Sequence, residues 1–206
     1  LRMFKAVASP YLVPFDGTFR VAKSPTRPPA KAPDKKDLKQ QLEDAVETLA
    51  ELQRILYAYD HHAILLVFQA MDAAGKDSTI RAVLSGVDPA GCEVYSFKRP
   101  SETELDHDFL WRTAQCLPQR GRIGVFNRSY YEEVLAVRVQ PELLDRQNLP
   151  DRPGLDRVWE ERFESIRDHE KHLARNGTVI LKFWLNVSLE EQRERFLARL
   201  DEPEKN

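Results

Sequence analysis

The sequence has 206 residues, 42% of them hydrophobic and 31% charged, which is enough apolar material for one well-buried domain but not for two large ones. A formal net charge of −2 excludes the strongly basic character of a general nucleic-acid binder. Its two cysteines, Cys92 and Cys116, suggest neither a disulfide framework nor a zinc site, which favours a reducing cytoplasm. No apolar run approaches the roughly 20 residues of a membrane span, and the start lacks the order of a signal peptide, so we expect a soluble protein with no membrane partner.

The composition changes near residue 34. Residues 1–33 are rich in proline and basic side chains, which cannot sustain a helix, and we predict an extended arm there. Residues 34–206 are predicted to form a single domain that opens with an amphipathic packing helix. Its apolar residues recur at three- or four-residue spacing, as on one face of a helix: Leu38, Leu42, Val46, Leu49, Leu52, Leu56 and Tyr59.

Short apolar runs, separated by helix-patterned or loop-like sequence, predict a series of buried strands. This alternation is typical of βαβ units, so we predict an α/β fold with a mainly parallel central sheet. The predicted strands are 63–69 and the runs that end at Phe97, Asn127 and Leu185. Two later helices begin with the spacing of a capping box, Ser101 with Glu104 and Ser188 with Glu191.

The first strand runs directly into the sequence QAMDAAGKDSTI, and helix-like sequence follows from Ser78. Strand, glycine-containing loop and helix form the context of a phosphate-binding loop. Gly75 lets the backbone turn its amides toward an anion and Lys76 adds a positive charge, although Asp77 stands where the standard motif has a hydroxyl residue. Asp72 would repel phosphates unless a cation lay between them, so we predict that it holds Mg²⁺ or orients phosphates through it.

A second polar group follows the strand that ends at Asn127, where phosphate-loop enzymes usually carry a metal-holding aspartate. Asn127 can still hydrogen-bond a metal-bound water, and Arg128 is suited to stabilise charge on a transferring phosphoryl group. Glu132 and Glu133 open a short helix next. There they either complement the helix dipole or approach the metal or acceptor, and the sequence leaves both readings open.

These segments together resemble the polyphosphate kinase 2 family. The segment FQAMDAAGKDSTI resembles its Asp-bearing phosphate loop, and FNRSYYEEVL resembles its second strand end. Similarity continues in FKRPSETELDHDFLWR and in most of the sequence from about Leu65 onward. Asn127 and the YEEV segment look like the subgroup that phosphorylates both AMP and ADP.

The resemblance implies a P-loop kinase-like three-layer α/β/α sandwich with a helical lid. It also implies an Mg²⁺-dependent enzyme that moves the terminal phosphate of inorganic polyphosphate to AMP or ADP, with guanine acceptors and the reverse direction left open. Asp72, Lys76, Asn127 and Arg128 match the active-site residues of the family, and Glu132 matches the position linked to monophosphate acceptance. Asp72, Asn127 and Glu132 form the implied metal set.

The basic lid of the family corresponds to about residues 188–206 and normally continues past the end of this sequence. Arg193, Arg195 and Arg199 are its candidate phosphate contacts, with a solvated helix face as the other reading. His107 and Asp108 belong to a family-like segment on a capped helix. They are candidates to line the nucleotide or phosphate site, and the sequence leaves this open. The full set expected at the phosphates or nucleotide is Ala73, Ala74, Gly75, Lys76, Asp77, Ser78, Lys98, His107, Asp108, Arg112, Arg193 and Arg199.

Two other functions compete with this interpretation. An ATP-dependent nucleoside monophosphate kinase shares the loop, the sheet and a basic lid, and differs mainly in its donor. A phosphate- or nucleotide-binding module without catalysis is the alternative from another class, because the loop departs from the standard motif. The long helix and the resemblance favour a homo-oligomer.

Overall fold

The protein is built around a four-stranded parallel sheet. We describe residues 8–150 and 154–200 of a computed structural model. The strands are β1 (Ala63–Ala70), β2 (Cys92–Ser96), β3 (Ile123–Asn127) and β4 (Thr178–Leu185), in the order β2-β3-β1-β4. All three pairings are parallel, which confirms the predicted α/β class and the predicted strands.

The strand register brings the predicted site residues to one edge of the sheet. Phe68 of β1 pairs with Asn127 of β3, and Ser96 of β2 pairs with the same asparagine. The carboxyl ends of β1, β2 and β3 therefore lie side by side, which is where ligands bind in open α/β sheets. The loop that follows β1 begins next to the end of β3.

Helices surround the sheet, and their starts follow local sequence signals. Ser101 and Glu104 form the reciprocal capping box that was predicted. At Ser188 only one half forms, since its hydroxyl accepts from the Glu191 amide at 3.2 Å while the Glu191 carboxylate turns to Arg195. The helices are α1 (Lys35–Tyr59), α2 (Lys76–Val83), α3 (Glu102–Leu105), α4 (Trp111–Ala114), α5 (Ala136–Val139), α6 (Leu155–Arg175) and α7 (Leu189–Leu200). Short 3-10 segments lie at Val21–Lys23, Pro89–Gly91, Tyr130–Val134 and Pro141–Arg146.

Separate apolar cores cover the two faces of the sheet. On one face, Ile166 of α6 packs with Leu65, Val67 and Phe126. Another core joins Ile80 of α2 to Phe68, Ile123 and Val125, with Leu49 and Leu56 of α1 packed against it. Helices on both faces give the three-layer α/β/α arrangement that was expected. In the described residues no helix is both long and apolar enough to cross a membrane.

The first helix packs with only part of its predicted apolar face. Val46 contacts the Gly86 region, and Gln53, which the pattern did not include, is the one residue that α1 buries. The predicted packing helix forms, and its buried stripe follows positions 46, 49, 53 and 56, which turns the other apolar residues toward solvent. The residues that remain exposed include Leu38, Leu42, Leu52 and Tyr59.

The described part of the arm, residues 8–33, contains a single 3-10 turn at Val21–Lys23. It crosses the end of β4, where the Asn186 side chain donates to the carbonyls of Ser24 and Pro25 at 3.4 Å. The division into an arm, a domain and a lid stays a prediction. Residues 201–206, which belong to the predicted lid, lie outside the described residues.

We predict that Gly91→Ala destabilises the contact between α1 and the sheet. An added Cβ would lie 1.6 Å from Nε2 of the buried Gln53, so the side chain would have to leave its site. Overpacking of this kind costs about 1–3 kcal/mol. Gly154→Ala is the matched control, because a Cβ there meets nothing within 4 Å. Urea unfolding that gives both variants the same free energy of unfolding would contradict the close packing of Gln53.

Candidate active site

The loop between β1 and α2 has the shape of an anion cradle. Gly75 caps α2 with a φ of +91°, a left-handed conformation that glycine adopts without strain. A Cβ at Gly75 would also lie 3.3 Å from Nη1 of Arg195, so a larger residue would crowd that guanidinium. The free amides of the first turn of α2 and the helix dipole point positive charge into the loop. Within the loop, Ala73 and Ala74 are buried. Ser78 is exposed, and its hydroxyl donates to the Gly75 carbonyl.

Lys76 lies folded back against the end of β1. Its side chain is 8% exposed, and Nζ donates to the carbonyls of Ala70 at 3.2 Å and Met71 at 3.4 Å. Burial, with the positive charge of Arg128 second, lowers the pKa of Lys76 below its ordinary value. An incoming phosphate would raise the pKa of Lys76 again, because an opposite charge favours the protonated amine.

Asp77 and Asn127 form a pair between the loop helix and β3. The Asn127 side-chain nitrogen donates to Asp77 Oδ1 at 2.5 Å and to Ser96 Oγ at 3.4 Å. The carboxylate at the end of β3 is thus supplied by the first turn of α2, while the strand itself supplies an amide. A cavity of about 410 Å³ opens beside this pair, between α2 and β2, and its volume is in the range of small-molecule sites.

Arg128 joins the loop after β1 to the segment after β3. Its guanidinium contacts Asp72 at 3.0 Å through Nη2 and Glu132 at 3.9 Å through Nη1. The backbone of Arg128 is left-handed, with a φ of +65°, and its amide donates to the Phe68 carbonyl at 3.0 Å. Such a conformation costs roughly 1–3 kcal/mol in a residue other than glycine and persists only where neighbours hold it.

Glu132 and Glu133 have different surroundings, which separates the two readings that the sequence left open. Glu133 is 7% exposed and pairs with Arg162 at 2.6 Å, and it also accepts from Gln147 at 2.8 Å. Glu132 faces Arg128 and is partly open to solvent. Of these two, Glu132 is the one open to an acceptor or a metal, and that role stays a prediction.

Helix α7 lies over the phosphate loop. Gln192 donates to the Asp72 carbonyl at 2.8 Å, and Arg195 donates to the Ala73 carbonyl at 3.2 Å. Arg193 and Arg199 are exposed, and the Arg199 guanidinium lies 6.0 Å from the Phe196 ring. Sequence reasoning missed Gln192, although its position three residues before Arg195 places both on one face.

The predicted residues of segment 98–112 form a cluster of their own. Arg112 donates to the Lys98 carbonyl at 2.9 Å, pairs with Glu104 at 3.5 Å and lies 5.1 Å from the Phe97 ring. His107 stacks on Trp111 with a centroid distance of 3.9 Å. Asp108 accepts from the Leu110 amide at 2.9 Å. Within the described ranges no hydrogen bond connects this cluster to the loop, so a substrate role for Lys98, His107, Asp108 and Arg112 stays a prediction.

The site offers oxygen donors that suit Mg²⁺. Asp72, Asp77 and Glu132 all lie around the loop and the end of β3, and Mg²⁺ is usually held by one or two carboxylates together with phosphates and water. In residues 8–150 and 154–200 there is no group of three or more His, Cys, Asp or Glu residues arranged to hold a metal by themselves. A metal that shares its ligands with substrate phosphates therefore fits these residues.

A parallel sheet with a lysine-bearing loop after β1 and an arginine at the adjacent strand end is typical of a P-loop kinase-like fold. A family model described as polyphosphate kinase 2 matches residues 32–206. The protein belongs to the polyphosphate kinase 2 family, as the sequence motifs predicted.

Named relatives and a solved structure agree with this assignment. An ADP-polyphosphate phosphotransferase of Rhodopseudomonas palustris is 61% identical over 80% of this chain and 57% of that protein. An AMP/ADP-polyphosphate phosphotransferase of Meiothermus ruber is 50% identical over 76% of this chain and 55% of that protein. The crystal structure of polyphosphate kinase 2 from Arthrobacter aurescens TC1 superposes with a TM-score of 0.82 at 37% identity, over 92% of this chain and 65% of that one. The chain thus spans little more than half the length of these two relatives.

We predict that Arg195→Gln weakens binding of tripolyphosphate about fivefold, because a partly exposed charge-assisted contact that holds α7 on the loop contributes roughly 1 kcal/mol. Arg193→Gln, on the same helix but exposed, should change the dissociation constant less than about twofold. Isothermal titration calorimetry measures both. Equal losses in the two variants would show that α7 acts only through its net charge.

Proposed function

We propose that the protein transfers the terminal phosphate of inorganic polyphosphate to AMP or ADP with the help of Mg²⁺. The observation that carries this proposal is the meeting of Lys76, Arg128 and the α7 side chains around one phosphate loop. Family membership supports polyphosphate as the donor, and the names of the Rhodopseudomonas and Meiothermus relatives support ADP and AMP as acceptors.

The reaction is a direct in-line displacement. An oxygen of the acceptor's terminal phosphate attacks the terminal phosphorus of polyphosphate, and the bond to the shortened chain breaks. The loop amides and Lys76 hold the donor phosphates, and Arg128 stabilises the equatorial oxygens as charge redistributes. Mg²⁺, bound through Asp72 with Asp77 or Glu132, would supply charge neutralisation between neighbouring phosphates.

Arg128 begins the cycle in contact with two carboxylates. Asp72, 3.0 Å away, is 68% exposed, so this ion pair adds little to stability and is easily exchanged. We infer that a donor phosphate with its metal takes the place of this contact, because it offers the guanidinium a stronger anion. Glu132 then remains beside Arg128, at the side of the site open to the acceptor.

We further propose that the enzyme works in the cytoplasm as a homo-oligomer. Cys92 and Cys116 are free thiols, which supports a reducing compartment. An oligomer is supported by the apolar side of α1, where Leu52 is 56% exposed and Ile55 is 64% exposed.

We predict that the full-length protein forms ADP and ATP from AMP when polyphosphate and Mg²⁺ are present. Lys76→Ala should lower kcat at least about 100-fold, since it removes the buried cation of the loop, and excess chelator should abolish turnover. Chromatography of the nucleotides measures each product. Lys171→Ala, on the exposed side of α6, is the matched control and should retain activity.

Parallel reactions with ATP as the only donor separate the competing functions. Transfer from ATP to AMP with polyphosphate inert would move the protein to the nucleoside monophosphate kinases. Absence of turnover with either donor would favour a binding module.

A further inference from the structure

The 3-10 segment Tyr130–Val134 begins two residues after Arg128, carries Glu132 and is held by α6 and β4. Tyr130 is 1% exposed, and its hydroxyl donates to Glu170 Oε1 at 3.0 Å. The Tyr131 hydroxyl donates to the same oxygen at 2.7 Å. Two consecutive residues of the segment are therefore anchored to one carboxylate of α6.

A lysine on β4 completes this contact. Lys182 Nζ donates to Glu170 Oε2 at 2.7 Å and to the Tyr131 hydroxyl at 3.0 Å. Glu170 is 16% exposed, so its charge depends on these donors more than on water. We call Glu170, Lys182, Tyr130 and Tyr131 the tyrosine anchor.

The surroundings of the anchor raise the pKa values of its two phenols and of its lysine. Burial and the charge of Glu170 raise the pKa of Tyr131 to about 12, and they raise the pKa of Tyr130 as well. Burial opposes the charge on Lys182, but its bonds to Glu170 and Tyr131 outweigh this and raise its pKa. At neutral pH Lys182 is therefore protonated and both phenols are neutral.

The other side of the segment is fixed to the same helix. Arg162 of α6 is 5% exposed and binds the Glu133 carboxylate at 2.6 Å and its backbone carbonyl at 3.2 Å. Tyr130, Tyr131 and Glu133 thus all point to α6, and Glu132 is the residue between them that points to Arg128. The segment has little freedom to shift along the end of β3.

Arg128 lies two residues before the start of this segment, and Ser129 separates it from Tyr130. Its left-handed backbone needs neighbours that prevent relaxation. On one side the Phe68 carbonyl accepts a hydrogen bond from the Arg128 amide. On the other side the tyrosine anchor fixes the chain two residues later.

We propose that Glu170 is a positioning residue for phosphoryl transfer, which acts through Arg128 by clamping Tyr130 and Tyr131 to α6. Among the described residues, the Glu170 carboxylate hydrogen-bonds Tyr130, Tyr131 and Lys182 and no residue of the phosphate loop. The proposal rests on the proposed function for the reaction that Arg128 serves, and it adds a residue on the far side of the segment to the machinery of that reaction.

The test substitutes Glu170→Gln in the full-length protein. Glutamine still accepts from the phenols, but its amide would face the Lys182 ammonium group, so the anchor loosens. We expect kcat to fall about 10- to 100-fold, the size of effect that a small misplacement of a reacting group produces, with the KM for polyphosphate changed less than about threefold. Glu161→Gln is the matched control, since Glu161 is exposed on the same helix and pairs with Arg157 at 2.7 Å. It should leave kcat unchanged.

A double-mutant cycle distinguishes positioning from a general loss of structure. In an Arg128→Ala background, Glu170→Gln should have no further effect on kcat, because the residue through which it acts is gone. Equal effects of Glu170→Gln in both backgrounds would overturn the proposal. An unchanged kcat in the single variant would overturn it as well.

A second variant and a spectroscopic measurement test the proposal independently of whether Glu170→Gln folds. Tyr131→Phe removes one hydroxyl without changing volume, and it should lower kcat in the same direction if Glu170→Gln fails to fold. Ultraviolet titration of the tyrosines should show the pKa of Tyr131 falling from about 12 in Glu170→Gln. A shifted titration with full kcat would mean that the anchor exists but does not position Arg128.

Failure of the proposed function gives a different pattern. A wild-type protein inert with polyphosphate but active with ATP would refute polyphosphate as donor, while the ratio of variant to wild-type kcat with ATP would still decide the role of Glu170. Loss of turnover in the wild type with every donor would refute both.

Discussion

Arg128 is the contact on which the arrangement of the site depends. It is the first residue past β3, and its guanidinium reaches Asp72 in the loop after β1. Since β1 and β3 are adjacent and parallel, this one side chain links the two strand ends at which we propose that phosphate is bound and transferred. Its left-handed backbone directs the chain away from the sheet into the segment that carries Glu132. A shift in that backbone would displace the Arg128 guanidinium and the Glu132 carboxylate together.

The exposure of the charged groups at the site is consistent with the proposed exchange with substrate. Buried polar groups lie at its edges, where Glu133 pairs with Arg162 and Asn127 pairs with Asp77. At its centre Asp72 is exposed and Arg128 half-buried, so their ion pair contributes little to folding and can yield to a phosphate. Lys76 is the exception, since it is buried among carbonyls and benefits from an incoming anion.

Local and sheet-level features of the fold were predictable, because they follow from short-range chemistry. The capping box at Ser101 follows from two residues three positions apart in the sequence. The strands follow from short apolar runs. The site at the carboxyl ends of β1 and β3 follows from parallel pairing alone. The packing of α1 was not predictable, since the apolar spacing gives a stripe but not which part of it meets the sheet; Leu52 is exposed while Gln53 is buried. Gln192 and Glu170 were missed because their partners lie 120 and 40 residues away, at distances that only tertiary packing closes.

Arg128→Lys is the most direct test of the central role of Arg128. Lysine keeps the positive charge but loses the planar fork that contacts two carboxylates or two phosphate oxygens at once. Steady-state kinetics with polyphosphate, Mg²⁺ and ADP should show kcat reduced about 100-fold with KM changed less than about threefold, because an interaction made mainly in the transition state is removed. A kcat within about twofold of the wild-type value would contradict the assignment of Arg128 as the residue that stabilises the transferring phosphoryl group.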